Sequence, residues 1–267
     1  MAAKSCIFLM YHELEIDGRK LCQSEPGYVR YILPLETFRN QMAWLKEAGW
    51  RGLNVSEALN GRTERSVCIT FDDGCETDLI AAAPVLREVG FHATFYVTAG
   101  FLDTPGYLTV EQLRCLDSEG FEIGCHSMTH AYLPDLSESE LKREMVDAKD
   151  RIEQILRHAL EHFSCPGGRY DRRSLAMARS AGYKTVANSD FHANSSTTSM
   201  YALGRIAVLR DVSVNEFEAI CEGRGLWKKR VQYRARRGLQ QMLGNRAYDR
   251  LRAVLLRKST SNQSLIT

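Results

Sequence analysis

The chain has 267 residues, 44% of them hydrophobic and 25% charged, an ordinary globular composition that excludes disordered, collagenous and fibrous classes. The formal net charge of +2 hides an asymmetry: from Arg224 to Lys258, 12 Lys or Arg stand against one acid, and the rest of the chain carries 23 basic and 32 acidic residues. No nucleic-acid recognition module accompanies the basic run, so nucleic acid is not an expected partner.

The first apolar run, CIFLMY (6–11), spans only five apolar residues before Tyr11 in MAAKSCIFLMYHELEIDGRK. It is too short for a signal-peptide core or a membrane span, and the expectation is a cytoplasmic protein. Further short runs, rich in β-branched and aromatic residues, follow at WRGLNV (50–55), SVCITF (66–71), HATFYV (92–97), FEIGC (121–125), HFSC (162–165), YKTVA (183–187) and LGRIAVL (203–209). Apolar throughout, they read as strands buried on both faces.

Amphipathic patterns lie between them. LETFRNQMAWLKEAG stops at Gly49 and TDLIAAAPVLREVG at Gly90. TVEQLRCLDSEG starts on a Thr cap with Gln112 three residues on, and SESELKREMVDAKDRIEQILRHAL starts on Ser137 with Glu140 three residues on, both capping-box spacings. DRRSLAMARSAG and SVNEFEAICEG end at Gly182 and Gly223. Strand–helix alternation predicts parallel βα units, and seven or eight of them in about 220 residues suit a barrel. The polar stretch 188–201 reads as a loop. Residues 226–267 read as a basic helical extension, its end disordered, whose apolar stripe packs on the barrel or whose charge leans on an anionic membrane. The eight cysteines contain no CxxC and several fall in apolar runs, so they read as buried free thiols of a reducing compartment.

The chemistry-bearing residues follow the strands. Tyr11 and His12 end the first run, Asp72 and Asp73 the third, His126 and His130 follow FEIGC, and Pro166, Gly167 and Gly168 follow HFSC. In a βα barrel these ends share one rim, where active sites form. Alone, DD before a Gly is more often a helix cap, and HxxxH more often a helix face. Together they supply complementary parts: two His and one carboxylate make a three-ligand site for a divalent metal, open to water and substrate. The second acid is then placed to take a proton from the attacking water.

Three segments resemble the polysaccharide deacetylase family (NodB homology, carbohydrate esterase 4). Thr70-Phe71-Asp72-Asp73-Gly74 resembles its TFDDG motif, His126-Ser127-Met128-Thr129-His130 its H[ST]xxH motif, and Phe163 to Gly168 its Pro/Gly loop. The resemblance spans roughly residues 5 to 222. It implies an α/β fold, a distorted (β/α)7 barrel over residues 1–225, and metal-dependent removal of an N-acetyl group from an amino sugar of a polysaccharide, oligosaccharide or lipid-linked saccharide. By position it makes Asp73, His126 and His130 the metal ligands and Asp72 the general base. Gly167, Pro166 and Tyr11 lie toward substrate and the oxyanion, and zinc is the default ion.

Two departures stand out. Ser164 occupies the place where the family often has an Arg oriented toward the base, and LGRIAVLR carries Arg210 but no His near the usual late LxH motif. Met10-Tyr11-His12 is similar to an early strand end of circularly permuted, exopolysaccharide-type members. His12 is therefore the expected general acid, with His192 the second candidate. Deformylase or amidase chemistry on a lipid-linked sugar or small cyclic amide is the rival activity, and a non-catalytic saccharide-binding protein the rival class.

Overall fold

The computed structural model describes residues 5–60 and 65–227, together with 230, 231, 235 and 238. The anticipated extension over 226–267 falls almost wholly outside the described residues.

The chain runs β1 (Ile7–Tyr11), β2 (Leu14–Glu15), α1 (Pro26–Val29), β3 (Leu33–Pro34), α2 (Leu35–Glu47), β4 (Arg51–Leu53), α3 (Val55–Asn60) and β5 (Ser66–Phe71). It continues with α4 (Ala83–Val89), β6 (Thr94–Val97), α5 (Val110–Ser118), β7 (Glu122–Cys125), α6 (Glu138–Lys142) and α7 (Ala148–Leu156). It ends with β8 (His162–Ser164), α8 (Arg172–Ser180), β9 (Thr185–Ala187), β10 (Ile206–Ala207) and α9 (Val214–Cys221). The main sheet is parallel and curled, in the order β10-β1-β5-β6-β7-β8-β9, with β4 paired to the start of β5. Its two ends meet where Ala187 bridges Leu203. This is the α/β architecture that the strand–helix alternation predicts. Among the described residues no helix is long and apolar enough to cross a membrane.

Strand alternation sorts the side chains. Leu9, Tyr11, Ile69, Phe71 and Phe95 face outward into the large apolar layer beneath the helices, where Phe71 stacks between Tyr11 and Phe95 at 5.2 and 5.1 Å. Phe8, Cys68 and Tyr96 face the interior with Cys6, Leu53, Ala187 and Leu203. The N-terminal mouth of the interior is closed by α3, whose Val55 and Ala58 join that cluster. The Val55 and Ser56 amides at the start of α3 donate to the carboxylate of Glu122, the first residue of β7. A carboxylate at a helix N-terminus satisfies donors that have no partner within the helix.

SVCITF is a strand over all six of its residues, whereas LGRIAVL forms ladder pairs only at Ile206 and Ala207. Both capping boxes are present, on Thr109 and on Ser137. The single helix expected from Ser137 onward is interrupted by a π-turn at Arg143–Asp147. A second π-turn, Asp78–Ala82, precedes α4. There Pro84 has no N–H to return to the carbonyl of Ile80, so the helix widens over that turn.

Candidate active site

The same alternation that turns Tyr11 outward turns its neighbours inward. Thr70 and Asp72 share the interior-facing register of β5, so Asp72, although beyond the last ladder residue, stays buried inside the rim. At Asp73 the chain turns with φ 81, followed by Gly74 with φ 77. This left-handed step, tolerated by Asp better than by most side chains, lets two adjacent acids reach one space.

The loop after β7 is held from two sides. Its Met128 and Thr129 amides and the Thr129 hydroxyl all donate to the Glu144 carboxylate on the π-turn. The Ala99 and Gly100 amides donate to the Ser127 and Met128 carbonyls, and a Cβ at Gly100 would lie 2.3 Å from that Met128 oxygen. Ser127 and His130 adopt φ of 72 and 62. Such conformations persist where surrounding contacts enforce them.

The loop delivers both histidines to Asp73. His126 Nε2 and His130 Nε2 each lie 3.5 Å from Asp73 Oδ1. That oxygen is buried and has no hydrogen-bond partner. His126 Nδ1 bonds the Ser164 carbonyl at 2.9 Å, so Nδ1 carries the proton and the Nε2 lone pair faces Asp73. Burial lowers the His126 pKa to about 4, against the opposing pull of Asp72, which keeps its ring neutral. Three groups with ligand atoms within 4.8 Å of one another, one an orphaned carboxylate oxygen and one a neutral imidazole of fixed tautomer, fit a divalent metal. Cys125 does not join them: it faces the outer layer, and burial pushes its thiol up to about 11.

Asp72 has a different partner, one that sequence reasoning missed. The fully buried Arg205, just before β10, grips it with Nη1 to Oδ1 at 2.6 Å and Nη2 to Oδ2 at 2.7 Å. The remaining guanidinium donors reach Ser164 Oγ at 2.6 Å, Thr70 Oγ1 at 3.2 Å and the Asn188 carbonyl at 3.2 Å, so all five are used. Burial alone would raise the Asp72 pKa, yet Arg205 holds it well below the usual carboxylate range. Ser164, at the place where the resembled family often has an Arg, donates in turn to Asp72 Oδ2 at 3.3 Å. The only sequence signal for Arg205 was a charged residue inside an apolar run, LGRIAVL, at a position where alternation puts it inside. Arg210 instead pairs with Glu15 near the surface.

Of the two candidate acids, His12 is the one on whose charge both carboxylates act. His12 is half-buried against Tyr31, with ring centroids 4.9 Å apart. Its Nδ1 is buried and unpartnered. Burial lowers its pKa, while Asp73 and Asp72 pull it back up. His192 packs instead on Gly204, where a Cβ would lie 2.5 Å from its ring, on a segment that runs back to pair Asn194 with Cys6 at the start of β1. Tyr11, expected toward substrate, is a correction: its hydroxyl donates to Gln41 of α2 at 2.9 Å in the outer core. Pro166 is buried, and Gly167, φ 60, is exposed on the turn after β8.

Residues 60–186 match the family model described as Polysaccharide deacetylase. The chain is 31% identical over 220 residues to a Bacillus subtilis (strain 168) protein named "Putative polysaccharide deacetylase YxkH", covering 80% of this chain and 75% of that protein. It is 33% identical over 124 residues to the peptidoglycan-N-acetylglucosamine deacetylase of Bacillus cereus, covering 46% of this chain and 56% of that protein, so it spans little more than half of that relative. Among solved structures, the Streptococcus pyogenes deacetylase PplD in complex with acetate superposes with a TM-score of 0.73 at 24% identity, over 83% of this chain and all of that one. With the TFDDG and HSMTH residues gathered at one rim of a curled parallel sheet, and a relative matched over most of both lengths, the chain belongs to the polysaccharide deacetylase family.

Proposed function

We propose that the protein is a metal-dependent hydrolase that removes the N-acetyl group from an amino sugar within a polysaccharide, oligosaccharide or lipid-linked saccharide. The observation that carries this reading is the orphaned Asp73 Oδ1 facing two histidine Nε2 atoms, with Asp72 Oδ2 3.8 Å from one of them. Asp73, His126 and His130 would hold the ion, and zinc is the one this ligand set favours. A divalent ion held there supplies Lewis acidity toward the amide carbonyl and the attacking water.

The chain's own residues do the rest. Asp72, ionised and fixed by Arg205, takes the proton from the water. Arg205 trades basicity for orientation: it weakens Asp72 as a base but fixes both carboxylate oxygens. His12, close enough to feel both carboxylates, gives a proton to the leaving nitrogen. The Gly167 amide, on the exposed turn after β8, donates to the developing oxyanion.

Acetate release from a chitin oligosaccharide, with bound metal measured alongside, tests the assignment. Asp72→Asn should retain metal and lose about 10²–10⁴-fold in kcat. His126→Ala should lose the metal. Metal without acetate release would point to another amide substrate, and full activity in either variant would overturn the assigned roles.

A further inference from the structure

A second group of reactive side chains lies one turn beyond the acids. Cys75, two residues after Asp73, is fully buried, and its Sγ is 3.8 Å from Sγ of Cys22. Cys22 is half-buried on residues 16–25, a segment without ladder or helix pairing beyond its turn. One thiol is therefore within reach of solvent, on a segment outside the helices and the sheet, and the other is buried behind it just beyond the end of β5. Closing the pair to a normal S–S bond moves the sulfurs together by roughly 1.7 Å.

The two segments are already clasped. Arg19 bonds Glu13, Glu76 at 2.5 Å and the Gly106 carbonyl at 2.9 Å, tying 16–25 to the residues around Cys75. Its Nη2 also lies 3.7 Å from Cys22 Sγ. A nearby guanidinium favours the thiolate, the nucleophilic form. The hydrogen bond with Cys75, helped by Arg19, lowers the Cys22 pKa against burial and the Glu13 carboxylate. The Cys22 thiol donates to the Gly106 carbonyl at 3.0 Å, and Arg19 would keep that oxygen satisfied if the thiol were consumed.

Glu13 completes a triangle of possible ligand atoms with the two sulfurs. Its carboxylate, however, is already engaged by Arg19 and by the Cys22 amide, 3.1 Å from both oxygens. A cation there would have to displace a guanidinium, whereas a disulfide uses only the two sulfurs.

We propose that Cys22 and Cys75 are a redox pair that closes to a disulfide by exchange with a low-molecular-weight disulfide, stapling residues 16–25 to the turn after the two acids. Cys22 as thiolate attacks one sulfur of the external disulfide, and the other sulfur leaves as a thiolate that picks up a proton. Cys75 then attacks the Cys22 sulfur, and its proton leaves with the second external thiol that it expels. Two protein thiols are oxidised, and one external disulfide is reduced to two thiols. A small dithiol runs the sequence backward.

The experiment equilibrates the full chain with graded ratios of oxidised to reduced glutathione, alkylates the remaining thiols and maps the peptides. The expected result is a Cys22–Cys75 cross-linked peptide, two hydrogens lighter than the reduced pair. It should accumulate as the ratio rises, vanish with dithiothreitol and be absent in Cys22→Ser. Cys22 remaining as a stable glutathione mixed disulfide beside an alkylated Cys75 would overturn the proposal. So would both thiols staying alkylated at every ratio, or tight binding of zinc that is lost in Cys22→Ser but kept in His126→Ala. None of these readouts depends on deacetylase activity.

Discussion

Arg205 is the residue on which the site's electrostatics turn. Asp72 is buried beside another acid, and without a counter-charge its ionised form would be costly. Removing the guanidinium in Arg205→Met should therefore cost about 3–5 kcal/mol of stability, measured by denaturant unfolding. Arg205→Lys keeps one charge but not the fork that spans both carboxylate oxygens. Its Asp72 pKa should rise toward the ordinary carboxylate value, because the ionised form loses hydrogen bonds from the guanidinium fork that stabilise it. The acid limb of the pH profile of kcat/KM should then move to higher pH, with kcat reduced more than KM is raised. An unmoved limb would mean that Arg205 does not act through Asp72. The sequence disclosed Asp72, Asp73, His126 and His130 because each belongs to a spaced motif at a strand end. Arg205 has no such motif, and its role depends on a pairing of β10 with β1 across almost 200 residues. Tyr11 was misplaced because a motif names adjacent residues together while a strand sends them to opposite faces.

At the scale of elements, the site rests on two irregularities that helical periodicity does not reveal. The amphipathic pattern from Ser137 onward is continuous, yet the helix opens into a π-turn at Arg143–Asp147. There Glu144, though charged, is buried, with its carboxylate under the HSMTH loop. Caps were legible because they depend on neighbours three residues apart, while the π-turn answers to a loop from another part of the chain. The opposite mouth carries a comparable support. Glu122 caps α3 and accepts from Thr94, with His162 Nε2 3.2 Å away. Burial would raise the Glu122 pKa, but the hydrogen bond and charge of His162, with Ser56 and Thr94, lower it overall. A carboxylate depressed in the fold adds stability above its unfolded pKa of about 4.3, and that stability is lost as pH falls through the lower folded value. Glu122→Gln should thus be less stable than wild type by about 1–3 kcal/mol near neutrality. The difference should shrink below about pH 4, as followed by thermal melts across pH.

For the molecule as a whole, Asp73, His126 and His130, proposed to hold a metal, join the end of β5 to the loop after β7, so an ion bound only by the folded chain should stabilise it by mass action. At 100 times its dissociation constant, zinc should add about 2.7 kcal/mol, seen as a rise in Tm that a chelator reverses and His126→Ala abolishes. No rise in wild type would count against a preformed site. The βα architecture was legible from alternation alone, since buried parallel strands must be short apolar runs separated by helices. How the sheet's ends meet was not, because that joint consists of a bridge at Ala187 and Leu203 and two ladder residues of β10.

That joint also sets an order of assembly. A ribosome makes the two acids more than 130 residues before it makes Arg205, so the emerging chain carries a charge pair whose counter-ion does not yet exist. The central strands can pair as they appear, but the space inside them stays electrostatically incomplete until the late strand docks against the first. Contacts this distant in sequence form slowly, which makes closure of the seam the step that converts a nascent sheet into a working pocket.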